Sequence, residues 1–149
     1  MYPERPLFTV LPGAGAALAP RLAAAFGLDR SRYQSAEELS AYAGIAPIQR
    51  SSGKTKVHYM RLACPKYLRQ TFHEFAGKAA AYCPWSRRYY QAQIAKGKSH
   101  HQVIRSLAFK WIRILWACWM ANTPYDQTTY LQALKKSGSP YAPELPTLT

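Results

Sequence analysis

Ser99-His100-His101-Gln102-Val103-Ile104-Arg105-Ser106-Leu107-Ala108-Phe109-Lys110-Trp111-Ile112-Arg113-Ile114-Leu115-Trp116-Ala117-Cys118-Trp119 is the stretch on which the reading of the fold turns. Ile104, Leu107, Ala108, Trp111, Ile112, Leu115 and Trp119 recur at steps of three and four, so one arc of a helix is apolar. Arg105, Lys110 and Arg113 fall outside the centre of that arc, and Ser99 stands where an N-cap hydroxyl would meet the first free amides. The pattern predicts a core helix with one face buried, and Trp111, Trp116 and Trp119 are read as core. Lys110 and Arg113 also break the apolar run from Val103 to Ala121, so it is not a membrane span, which needs about 20 apolar residues.

Working outward, Ser86 to Lys96 reads as a helix stopped by Gly97. Leu68, Phe72, Phe75, Ala76 and Ala79 define another from about Cys64 to Tyr82, ended by Pro84. Downstream, Pro124 precedes a last helix from about Asp126 to Lys136, and residues 137–149, with three prolines, read as a tail. Upstream, Ser35 with Glu38 forms a capping-box signature for a short helix through Leu39 and Tyr42 that ends at Gly44. Ala16 to Phe26 carries a helical stripe of Leu18, Leu22, Ala25 and Phe26, closed by Gly27. Strands do not alternate with helices, so the expected fold is mainly α. The expected domain is 1–136, with a hairpin at 10–15, a loop at 44–61 and a helical core at 62–136.

Twenty Lys and Arg against seven Asp and Glu give a net charge of +13, a field that attracts polyanions. DNA or RNA is the expected partner. With 48% hydrophobic residues the chain is too apolar to be disordered. The three cysteines, Cys64, Cys83 and Cys118, are odd in number and lack CxxC spacing, which supports neither a disulfide framework nor a zinc site. A cytoplasmic, nucleoid-associated protein with no membrane attachment is expected.

Leu11-Pro12-Gly13-Ala14-Gly15 opening a helix fits the hxGhG hairpin of a helix-hairpin-helix element. Gly13 and Gly15 would let backbone amides turn towards a phosphate, with the helix N-terminus behind them and Arg21 on the following helix. Such a grip holds a nucleic-acid backbone without reading bases. The competing reading is an ordinary glycine turn before a helix. Any first helix of the element is at most about one turn, from Glu4 to Thr9, because Pro3 and Pro6 limit it.

Gly44-Ile45-Ala46-Pro47, then Arg50-Ser51-Ser52-Gly53-Lys54-Thr55-Lys56, then Arg61, Lys66 and Arg69, is polar, basic and aperiodic in its middle. It is expected to be an exposed Ser-Gly basic loop, with or without a β-ribbon. On its own it is a solvated phosphate-binding loop. Its order resembles the C-terminal domain of insertion-sequence family 110 transposases, related to the Piv-type invertases. The Leu-Pro-Gly-Ala-Gly hairpin upstream and Lys110-Trp111-Ile112-Arg113-Ile114-Leu115-Trp116 downstream sit where that family has them, so the resemblance spans about residues 7 to 120.

The resemblance implies a recombinase that cuts and rejoins DNA through a composite active site. One part is a RuvC-like N-terminal domain whose four acidic residues bind Mg2+; the other is a serine-bearing C-terminal domain. Family members use a structured guide RNA, and the full-length protein is expected to be a homo-oligomer. The nucleophile maps onto Ser52, with Ser51 the close alternative. Arg50, Lys54, Lys56 and Arg61 would hold the phosphate, with Lys66 and Arg69 following. The acids available here are Glu4, Asp29, Glu37, Glu38, Glu74, Asp126 and Glu144, not arranged as a metal cluster, so the RuvC-like domain is expected to be missing and the chain inactive without it. No cofactor is expected in this chain. The alternative is a non-catalytic helix-hairpin-helix module that binds DNA or RNA. A serine hydrolase is set aside, since no His-Asp pair or G-x-S-x-G elbow is present. His100-His101 reads as solvated imidazoles at a capped helix start, His73-Glu74 as a surface pair. Tyr82, Trp85, Tyr89 and Tyr90, near Arg87 and Arg88, suit either base stacking or packing between helices.

Overall fold

The computed structural model describes residues 7–8, 10–45 and 65–142, and among them six helices are bounded, the longest packed on three of the others. They are α1 (Gly15–Phe26), α2 (Ala36–Tyr42), α3 (Lys66–Tyr82), α4 (Pro84–Ala95), α5 (His100–Ala121) and α6 (Gln127–Lys136), and no strand occurs among the described residues. The fold is mainly α. The long helix α5 packs on α2, α3 and α4, while α3 also packs on α1 and α4.

Local chemistry fixes the ends of these helices. Ser35 Oγ accepts from the Glu38 amide at 3.1 Å, the serine half of a capping box. The glutamate returns to the Gln34 amide, at 2.8 Å, and not to that of Ser35. Ser99 Oγ accepts from the Gln102 amide and starts α5, and Asp126 accepts from the Thr129 amide and starts α6. At the far end of α5, Asn122 adopts the left-handed region at φ 50°, which asparagine tolerates better than most side chains. Between α3 and α4 there is only Cys83, extended at φ −103° and ψ 124°. Pro84 therefore begins α4 as its first residue, two positions before the Ser86 start expected from sequence. Proline suits that position because its missing N–H is one the first turn leaves unbonded anyway.

The predicted arc of α5 is the core: Val103, Leu107, Trp111, Ile112 and Trp119 are fully buried. Trp111 lies 5.1 Å from the Phe75 ring, 5.1 Å from Trp85 and 5.0 Å from Tyr125, centroid to centroid. Its Nε1 donates to Ser86 Oγ at 2.9 Å, and Trp85 Nε1 donates to the Tyr125 hydroxyl at 3.1 Å. Both buried indole donors thus have acceptors, as large amphipathic rings require when removed from water. Burial pushes the Tyr125 phenol pKa far above its ordinary value, so it stays neutral in this cluster. Trp119 Nε1 donates to the Gly27 carbonyl at 2.9 Å, and Phe26 and Tyr33 pack on its ring. Trp116 differs from the other two, being only half-buried.

Leu7 and Phe8 are helical and buried, and the Phe8 ring stacks on Phe26 at 5.4 Å. Of the segment read as a tail, residues to 142 are described: Tyr141 packs edge-on against Tyr89 at 5.1 Å and Arg88 donates to the Ala142 carbonyl. Among the described residues, no helix is long and apolar enough to cross a membrane. Cys83 is buried and Cys118 half-buried, both as free thiols whose pKa values burial raises.

Candidate nucleic-acid interface

The hairpin and α3 form a shallow, open cavity of about 630 Å3. Pro12 to Leu18 supply one wall and Arg21 the rim; Glu74, Lys78 and Tyr82 line the α3 side. The Ala14 amide donates to the Leu11 carbonyl at 3.2 Å, closing the turn, and the Leu18 amide donates to the Ala14 carbonyl at 3.1 Å. Gly15, Ala16 and Ala17 lie between them, in the first turn of α1, where amides have no intrahelical acceptor. The N-cap residue is Ala14, whose side chain cannot accept from them. An uncapped helix start beside a cation is chemically suited to an anion.

The two hairpin glycines do different jobs. Gly13, at φ +84°, lies so close to α3 that a Cβ would sit 2.8 Å from Lys78 Cβ and 3.0 Å from its carbonyl carbon and oxygen. Its close approach is to protein backbone. Gly15, at φ +60°, has no atom within 4 Å of where a Cβ would lie, so it faces open space on the cavity. Gly15→Val is therefore expected to lower affinity for DNA by crowding the cavity, with a strain cost of about 1–3 kcal/mol and helical circular dichroism retained. Gly13→Val should drive the hairpin off α3 and lower the melting temperature and DNA binding together. A Gly15→Val protein that binds DNA like the parent would remove the hairpin from the interface.

Arg21 forms an ion pair with Glu74 and its guanidinium lies over the Tyr67 ring, 5.6 Å from the centroid. The hydrogen bonds from Arg21 and then from Gln70 hold the Glu74 carboxyl below its ordinary pKa. Arg21 thus offsets a carboxylate on the same rim, and Lys78 supplies the remaining cationic charge of the cavity. Lys78 was not among the binding residues expected from sequence, and Tyr82 was offered only for base stacking or packing. Their signal is Gln70, Glu74, Lys78 and Tyr82 at steps of four, one polar stripe along α3. Tyr82 is 66% exposed at the cavity rim, whereas Trp85 and Tyr89 are buried in packing. Tyr90 is tied to His100 Nδ1 through its hydroxyl at 2.8 Å.

Lys66 and Arg69 occupy the opening turn of α3, about 18 Å and 14 Å along the helix axis from Lys78. They do not join the hairpin cavity. Arg50, Ser51, Ser52, Lys54, Lys56 and Arg61 lie outside the described residues. Among the described residues, no three His, Cys, Asp or Glu gather to hold a metal ion.

A sequence model of the Transposase IS116/IS110/IS902 family matches residues 5–91, a span that carries the hairpin, α1, the basic segment, α3 and its stripe. The chain belongs to this family. Among curated relatives it is similar to the "Insertion element IS110 uncharacterized 43.6 kDa protein" of Streptomyces coelicolor, 33% identical over 127 residues, 84% of this chain and 31% of that protein. The IS900 42 kDa protein of Mycobacterium paratuberculosis is 31% identical over 120 residues, 80% of this chain and 30% of the relative. The pilin gene-inverting protein of Moraxella bovis is 32% identical over 128 residues, 81% of this chain and 38% of that protein. The chain spans about a third of the length of these relatives. In this member of the IS116/IS110/IS902 family, Gly13 packs the hairpin against α3 and Gly15 faces open space.

Proposed function

We propose that this chain is the DNA-binding, serine-bearing part of a transposase or recombinase that cuts and rejoins DNA through a phosphoserine. The observation that carries the DNA half is the cavity at the uncapped start of α1, where Gly15 leaves the backbone open beside Lys78. A phosphodiester there would meet first-turn amides and one ammonium, groups that hold a backbone without reading sequence. Family membership supports the serine half. Ser52, or Ser51 one residue earlier, would attack phosphorus through its hydroxyl oxygen. The phosphorus–deoxyribose oxygen bond breaks as the serine ester forms, and the leaving oxygen takes up a proton. Attack by a second strand's hydroxyl reverses these steps and frees the serine, with no net loss of phosphodiester bonds. Arg50, Lys54, Lys56 and Arg61 would offset phosphate charge around the serine, and Lys66 and Arg69 would continue the basic track onto α3. In the whole protein we place a RuvC-like acidic domain with its Mg2+, a guide RNA and a homo-oligomeric assembly beside this part; the described residues of this chain offer no ligand set for the metal.

The charge of +13 and the backbone-directed cavity lead to an expected measurement. Titrating the chain with duplex DNA at increasing salt should give log K falling with log salt at a slope near −4 to −5, the value for about five phosphates. Scrambling the sequence of the duplex should change affinity little. A slope near zero, or strong dependence on sequence, would contradict a backbone-gripping interface.

A further inference from the structure

We infer that Arg69, His73, His101 and Arg105 form a second contact for the DNA backbone, built across α3 and α5 and distinct from the hairpin cavity. Arg69 and His73 stand four residues apart on α3, and His101 and Arg105 stand four apart on α5, so each pair shares one face of its helix. The two helices pack on one another, and Arg105, Arg69 and His101 all lie within electrostatic reach of the His73 imidazole. Arg69, His73 and Arg105 are half-buried, which fixes their positions, and His101 is exposed.

Four basic side chains in one place repel each other unless an anion joins them. No described carboxylate does so. Asp29 is bonded to Ser31, Glu37 to Arg113, Glu38 to the Gln34 amide, Glu74 to Arg21 and Gln70, and Asp126 to Thr129. The effect is visible on His73, whose pKa burial lowers most and whose protonation Arg105, Arg69 and His101 disfavour further. His73 is therefore neutral in the free protein at pH 7. A phosphate seated among the two guanidiniums would reverse the local field and favour the imidazolium, which can then donate to it.

His73 and Arg69 lie five and nine residues before Lys78 on α3, about 140° and 180° round the helix from it, so this contact would meet DNA on a different side of α3 from the hairpin cavity. This inference rests on DNA being the partner, and it predicts that binding takes up a proton.

The test uses the full chain with a fluorescent duplex, comparing the parent with Arg105→Gln, Arg105→Lys, His73→Asn and Gly15→Val, with melting temperature as the folding control. Arg105→Gln is expected to weaken DNA binding several-fold and reduce the salt slope by about one, with Arg105→Lys recovering most of the loss. Lowering the pH from 8 to 6 should tighten binding by the parent, and His73→Asn should flatten that dependence. The His73 imidazole, followed by NMR, should titrate below 6.5 alone and at least about one unit higher with the duplex bound. If Arg105→Gln changes neither affinity nor slope and the His73 titration ignores DNA, the second contact is wrong; Gly15→Val weakening binding in the same series would leave the hairpin reading standing. A response seen with an RNA duplex and not with DNA would overturn the assignment to DNA. No binding by the parent chain would overturn both readings.

Discussion

Trp111→Ala is expected to remove a large part of the stability of the chain. The side chain is fully buried between α3 and α4, packed on Phe75, Trp85 and Tyr125. Truncating a buried tryptophan to alanine costs about 3–5 kcal/mol through lost contacts and the cavity left behind. Ser86 Oγ, fully buried, also loses its indole partner, which adds about 1 kcal/mol or more. Against the roughly 5–15 kcal/mol that holds a typical domain together, that is about a quarter of the total or more. Denaturation in urea followed by circular dichroism should show the midpoint collapse. Trp111→Phe, which keeps an aromatic ring but drops the N–H, should lose much less. A Trp111→Ala protein within about 1 kcal/mol of the parent would mean that α5 is not the core of this fold.

On the proposed serine chemistry, Ser52→Ala in a full-length protein that recombines DNA should abolish strand exchange while leaving DNA binding intact. Removing a nucleophile that acts together with its activating groups lowers turnover by on the order of 10⁴-fold or more, because the covalent step has no substitute. Affinity should hold, since the hairpin cavity and the charge of +13 do not depend on one hydroxyl. In the active parent, a denaturing gel after protease digestion should show a peptide-linked DNA end, and mass spectrometry should place it on Ser52. The alanine variant should lack that species. A linkage on Ser51 would move the assignment by one residue; a recombining complex in which Ser52→Ala works normally would leave the chain a binding module.

The parts of the fold that follow from local chemistry were legible in the sequence. The arc from Ile104 to Trp119 needed only helical periodicity, and its residues are the buried ones. Gly27, with φ 78°, and Gly44, with φ 73°, end their helices as glycine in the left-handed region should. Pro84 was read as the stop for α3, but a one-residue corner at Cys83 makes it the start of α4. Proline marks a boundary without saying on which side of it the helix lies. The candidate site was less legible because it depends on which helices meet. Gly13 is required by the Lys78 backbone 65 residues away, a contact that periodicity cannot reveal. Arg21 reads as a phosphate ligand from sequence, and its ion pair with Glu74, 53 residues away, is a contact that periodicity does not show. The serine segment is outside the described residues, so its assignment rests on family membership and pattern.

The bond from Trp119 Nε1 to the Gly27 carbonyl has a consequence for how the chain is made. The tryptophan and the glycine are 92 residues apart, and Arg30 returns the tie by donating to the Trp119 carbonyl at 2.8 Å. Phe26, at the end of the helix that opens the hairpin, packs on the same indole. Until Trp119 leaves the ribosome, that end of α1 has no lid over its aromatic surface. At about 5–20 residues per second, translation keeps it waiting roughly 5–18 s after Gly27 is added. The N-terminal helices therefore spend that time without their aromatic cover, open to chaperones. The end of α1 is packed only when synthesis has passed the end of α5.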